Sequence, residues 1–194
     1  IVSNGECRLL YDYPELQRSQ ILDYLFLPAF GLSSQLLKVE IGSDAQSTVG
    51  TEPAYQHSRG KKSYDRGIMF WFMREAKSRN PDIKIAALEW SAPGWVGSGS
   101  FFSDDNIDYI LGWMYGATKI NNITVDYMGI WNEPPISELP PAWLVSLRAA
   151  LDAAGYRATR IIAPDASATS SITAHLLADM LQSDPVRAAV NVVG

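Results

Sequence analysis

This 194-residue sequence predicts an α/β fold with a parallel sheet, read as an incomplete (β/α)8 TIM barrel. Three observations carry that expectation. Short apolar runs alternate with stretches of helical periodicity, which is βαβ repetition with right-handed crossovers. Polar residues recur where the apolar runs end, as they do at the working edge of a barrel. The competing doubly wound nucleotide fold lacks its signature: no G-x-G-x-x-G follows any run, and "GKKS" (60–63) lacks the earlier glycine of a P-loop.

In chain order, "IVS" reads as the tail of a first strand, and 14–27 as a helix. "LLKVEIG" (36–42) is the next strand, followed by a long polar, glycine-bearing loop at 42–53. The helix at 64–80 stops at Asn80-Pro81, because the residue before proline avoids the helical region. "IKIAALEW" (83–90) is a strand, and Ser103 with Asp104 and Asp105 opens a helix over 104–120. "VDYMGIW" (125–131) is a strand; Pro140 and Pro141 open a helix at 140–154 that Gly155 ends. "RIIAPD" (160–165), a helix at 170–182 and "VNVVG" (190–194) complete the pattern. About six strands are present, against the eight that close a barrel. Residues 1–194 are therefore expected to be one partial barrel domain, with strands seven and eight missing and the sequence truncated. Such an open barrel is expected to be inactive and poorly folded on its own.

An apolar fraction of 47% with 19% charged residues is that of a globular protein and excludes disorder. A net charge of -5 and a pI near 5.0 argue against a nucleic-acid partner. No apolar run reaches eighteen residues, so no transmembrane segment is expected. Cys7 is alone, which leaves neither a disulfide framework nor a cysteine zinc site. His57 and His175 lack metal-ligand spacing and read as surface or structural residues, so no metal and no cofactor is expected. No G-x-S-x-G elbow is present, and "SRGKK" (58–62) reads as a solvated loop. Asn122-Ile123-Thr124 is a sequon, to be glycosylated if the chain enters the secretory pathway.

Barrel enzymes bind substrate at the C-terminal ends of their strands. That selects Glu40, Thr48, Glu52, Glu89, Trp90, Asn132, Glu133 and Asp165. Glu133 leads, because a carboxyl at the mouth of an apolar barrel is partly desolvated and stays protonated to higher pH. Such a group can give its proton to a leaving-group oxygen, the general-acid role in glycoside cleavage. A strand-end glutamate that caps a helix or meets an arginine would look the same. Asn132 beside it offers a donor and an acceptor suited to a sugar hydroxyl. Trp90 and Trp95 offer indole faces for pyranose C–H groups, or core packing; Trp90, at the strand end, is the better placed. Thr48 could bond a ligand or cap a turn.

Beyond these separate signals, "LKVEIGSDAQSTVGTEP" (37–53), "LEWSAPGWVG" (88–97) and "VDYMGIWNE" (125–133) together resemble glycoside hydrolase family 59. "YPELQRSQILDYLFLPAFG" (13–31), "REAKSRNPDIKI" (74–85), "RIIAPD" and "VNVVG" extend the resemblance over nearly the whole chain. It implies a retaining β-galactosidase that hydrolyses galactosylceramide and related galactolipids to galactose and a lipid product. It also implies Glu133 as acid/base, and Asn132, Trp90 and Thr48 as galactose contacts. The nucleophile is then expected from the seventh barrel strand, beyond Gly194, so none of Glu40, Glu52, Glu89 or Asp165 takes that role. The family's β-sandwich and lectin-like domains are likewise expected to be absent from this chain. The implied partner besides the galactolipid is a saposin-like lipid-transfer protein, and the implied location is the lysosome, or the exterior of a bacterium. Two alternatives stand beside this: another retaining β-glycosidase of the same clan, and a non-catalytic sugar-binding homologue. Pro134-Pro135, and Glu89 beside Trp90, depart from the family pattern.

Overall fold

A computed structural model describes residues 4–47, 50–132, 139–167 and 169–194. The elements run α1 (Asn4–Tyr11), α2 (Glu15–Phe26), β1 (Leu36–Glu40), β2 (Gln46–Ser47), β3 (Gly50–Thr51), β4 (Gln56–Ser58), β5 (Lys61–Lys62) and α3 (Met69–Arg79). They continue with β6 (Lys84–Glu89), a 3-10 turn at Val96–Gly99, α4 (Asp104–Tyr115), a π-helical turn at Gly116–Ile120 and β7 (Tyr127–Ile130). After these come α5 (Pro141–Ala153), β8 (Arg160–Ile162), α6 (Ser171–Gln182) and α7 (Asp184–Ala189).

Four parallel strands pair in the order β1-β6-β7-β8, each joined to the next through a helix. This is one wall of a (β/α)8 TIM barrel. The stretch at 190–194 adds a bridge, Ile162 with Val192, rather than a full strand. Side chains alternate across the wall. Leu37, Val39, Ile41, Ile85, Ala87, Met128, Ile130, Ile161 and Ala163 join the helices in one apolar core. Lys38, Glu40, Ala86, Leu88 and Gly129 alternate with them, toward the barrel axis.

Helix boundaries follow identifiable caps. Ser103 accepts from the Asn106 amide and Ser170 from the Thr173 amide, each at 3.3 Å, which starts α4 and α6. Pro141 occupies the first turn of α5, and Gly155, at φ 89°, closes it. The predicted helix at 64–80 begins late, at Met69, because the start is fixed by Glu52. Its Oε1 accepts from the amides of Ile68 and Met69 at 3.2 and 3.4 Å. Gly67 turns the chain there at φ 72°, and a Cβ on it would sit 2.0 Å from that same oxygen. The predicted helix at 104–120 changes to a π turn after Tyr115, where Thr118 Oγ1 donates to the Met114 carbonyl at 2.8 Å.

Two readings are corrected. "SRGKK" is not a plain solvated loop but the tip and second strand of the β4–β5 hairpin. Arg59 grips both oxygens of Asp105 there, at 2.8 and 2.7 Å. The loop at 42–53 contains the β2–β3 hairpin. Helices α1 and α7 are additions that the periodicity did not mark. Among the described residues no helix is long and apolar enough to cross a membrane. Asn122 of the sequon is exposed, on the segment entering β7, away from that strand's C-terminal end.

Candidate active site

The sheet register aligns the strand ends that the barrel geometry selects. The Ile41 amide donates to the Leu88 carbonyl at 2.8 Å, and the Trp131 amide donates to the Glu89 carbonyl at 2.9 Å. Asn132 then bridges Asp165 in parallel fashion, three residues beyond the last regular pair, Gly129 with Ile162. Trp90 follows Glu89 on the opposite face of its strand, half-buried. Trp90, Asn132 and Asp165 thus lie on the same C-terminal edge, as predicted. Thr48 and Glu133 lie outside the described residues; in sequence Glu133 directly follows Asn132.

The end of β7 is shaped unusually. Trp131 adopts φ 44°, a left-handed conformation that a bulky side chain rarely takes. Rings of Phe101 and Phe102, 4.3 and 5.3 Å away between centroids, hold it there. Strain of this kind persists only where surrounding packing over-determines it, and it clusters at working sites. Here it redirects the chain immediately before Asn132.

The adjacent loop is braced from several sides. Ser43 and Ser91 share a hydroxyl hydrogen bond at 2.6 Å, tying the ends of β1 and β6. Tyr109 donates to the Gly42 carbonyl, and Tyr55 donates to the Tyr109 carbonyl at 3.0 Å. Asp44 accepts from the Ala54 amide at 3.1 Å and from Arg66 at 2.7 Å, and pairs with His57 at 2.9 Å. Burial would raise the Asp44 carboxyl, but these hydrogen bonds from His57, Ala54 and Arg66 outweigh it and hold the group below its ordinary range.

Several candidate carboxylates have other assignments. Glu52 caps α3, as described above. Asp165 pairs with Lys38 at 2.5 Å, across the axis-facing side of the wall and about one-fifth exposed. Lys38 is a site-edge residue that the strand reading passed over, although a lysine between Leu37 and Val39 in a buried strand was its signal. Glu89 is fully buried on the helix side, where Asn106 Nδ2 donates to its Oε2 at 3.0 Å. Burial pushes this carboxyl well above its ordinary range, and the Asn106 bond offsets only part of the shift. Trp95 anchors its loop: its Nε1 donates to the Gln56 carbonyl at 3.3 Å and Arg59 stacks on its ring. The Cys7 thiol is buried and pushed up to about 12, mainly by desolvation, so it is no nucleophile. A cavity of about 460 Å³ opens elsewhere, between Arg8, Tyr11, Tyr64, Trp71 and Arg74.

A family model for glycosyl hydrolase family 59 matches residues 1–194. The chain belongs to glycosyl hydrolase family 59. This family 59 chain is 47% identical over 191 residues to galactocerebrosidase of Danio rerio, covering 96% of the chain and 28% of that relative. It is 44% identical over 176 residues to the Homo sapiens galactocerebrosidase, covering 89% of the chain and 25% of the relative. The chain therefore spans little more than a quarter of the length of these relatives. Among solved structures, SrfJ of Salmonella typhimurium superposes with a TM-score of 0.79 at 19% identity, over 98% of this chain and 48% of that one. At that identity the likeness establishes the barrel fold alone.

Proposed function

We propose that this chain is part of the catalytic barrel of a retaining β-galactosidase that hydrolyses galactosylceramide and related galactolipids to galactose and ceramide. The observation that carries the reading is the register placing Trp90 and Asn132 on one strand-end edge, immediately before Glu133, in a chain 47% identical to a galactocerebrosidase. In this reading Glu133 gives its proton to the glycosidic oxygen as the bond to the lipid breaks. It then takes a proton from water as the galactosyl-enzyme intermediate is hydrolysed. Asn132 holds a galactose hydroxyl, Trp90 lies against the C–H face of the ring, and Thr48 adds a hydroxyl contact from the loop after β1. The nucleophile, about 5–5.5 Å from the acid in retaining enzymes, is assigned to the seventh barrel strand and to none of the carboxylates above. The acidic pI near 5.0 suits the lysosome as its place of work, with a saposin-like protein presenting the lipid.

In the whole protein, Glu133→Gln removes the acid without changing shape. Turnover of galactosylceramide is expected to fall by about 10²–10⁴-fold. Activity within a few fold of wild type would rule out the assignment.

A further inference from the structure

The sequence pattern left one residue unexplained, Glu89, a charged type beside the Trp90 contact. Its side chain and that of Asn106 are both 0% exposed, and they face each other across the gap between β6 and the first turn of α4. One hydrogen bond joins them, from Asn106 Nδ2 to Glu89 Oε2 at 3.0 Å. Each side chain keeps one buried oxygen with no partner: Glu89 Oε1 and Asn106 Oδ1. Buried acceptors left without a donor are rare in folded proteins, because each has given up its hydrogen bond to water without replacing it. The nearby hydroxyls do not supply the missing donor. Tyr55 and Tyr109, the titratable groups that face Glu89 from the segment before β4 and from α4, give their protons to the carbonyls of Tyr109 and Gly42.

We propose that Glu89 is a neutral carboxylic acid whose proton bonds to Asn106 Oδ1, closing a reciprocal acid–amide pair that fixes the loop bearing Trp90. A single proton on Oε1 converts two unmatched acceptors into a donor and its acceptor. The pair joins the last residue of β6 to the third residue of α4, so it clasps both ends of the connecting segment 90–103. Glu89 is therefore a positioning residue that acts through Trp90 and never touches substrate. Burial of the carboxyl, which raises its proton affinity, agrees with this geometry.

The pair makes the fold favour acid. Below the unfolded-state value, near 4.3, both folded and unfolded chains hold the proton and folding costs nothing extra. As pH rises above it, the unfolded chain ionises freely while the folded one does not. Stability then falls until the folded-state value is passed, by roughly tenfold in the unfolding constant per pH unit from this one group.

The idea rests on the galactosidase reading only for what Trp90 contacts, so two of the measurements use no substrate. Thermal unfolding of the whole protein, wild type against Glu89→Gln, would be followed from about pH 4.5 to 7.5. Gln reproduces the neutral acid's donor and acceptor, so the variant is expected to match wild type at the acid end and exceed it at neutral pH. A variant that is less stable throughout, with the wild-type slope unchanged, overturns the proposal. Infrared spectra at neutral pH are expected to show a protonated-carboxyl stretch that Glu89→Gln removes and Glu133→Gln retains. If Glu89→Gln does not fold, absence of that band in Glu133→Gln is the overturning result. On a soluble aryl galactoside, Glu89→Leu is expected to raise KM about tenfold or more, with Glu89→Gln restoring it. Equal KM values in both variants would refute the positioning role while leaving the galactosidase reading intact.

Discussion

Lys38 and Asp165 are 127 residues apart in sequence, yet their charges meet at 2.5 Å on the axis-facing side of the sheet. Each is about one-fifth exposed, so the pair is neither a screened surface bridge nor a fully dry one. Lys38→Met leaves the Asp165 carboxylate alone beside Asn132. It is expected to cost about 1–2 kcal/mol, between the surface and buried limits, read by chemical unfolding of the whole protein. It is also expected to loosen the Asn132 bridge, so that kcat/KM for a galactoside falls further than stability alone accounts for. Trp90→Ala tests the stacking contact: a loss of about tenfold or more in kcat/KM with little change in Tm fits a half-buried ring that meets substrate. A large fall in Tm with unchanged kcat/KM would make Trp90 a packing residue.

The start of α3 depends on a side chain well before it in sequence, whereas α4 and α6 are capped by the serines next to them. Glu52 satisfies two amides at the start of α3, so Glu52→Ala is expected to destabilise by about 1–2 kcal/mol and to fray residues around Met69 in hydrogen exchange. Asp44 is the pH-sensitive brace of the neighbouring loop. Its folded-state value lies below the ordinary one, so its contribution is present above about pH 3.9 and is lost as pH falls through the folded value. Asp44→Asn is therefore expected to flatten the acid limb of the stability profile. This is the opposite direction from Glu89, whose contribution is lost as pH rises. Strands β1, β6, β7 and β8 were legible because parallel strands buried on both faces read as apolar runs, and their helices because Ser103, Pro140, Ser170 and Gly155 mark ends. Helix α1 was not, since Asn4-Gly5 has the composition of a turn. The two-residue strands β2, β3 and β5 are too short to show any alternation.

For the molecule as a whole, the sheet and its helices share one continuous apolar core, so a packing defect in it lowers the stability of the whole fold. Leu144, fully buried on α5, is a fair probe: Leu144→Ala is expected to cost about 2–5 kcal/mol by unfolding, with kcat on the surviving folded fraction unchanged. The candidate site was legible to the extent that it follows strands. Trp90 and Asn132 stand at ends that the apolar runs themselves define. The Lys38–Asp165 and Glu89–Asn106 pairs were not, because each depends on how strands and helices stack, and nothing in local spacing encodes it. The most direct test of Glu133 as acid/base uses the whole Glu133→Gln protein with an activated aryl β-galactoside and added azide. Such a leaving group departs without an acid, and azide attacks the galactosyl-enzyme without needing a base. Restored turnover yielding β-galactosyl azide is the expected result; no rescue and no azide product would contradict the assignment.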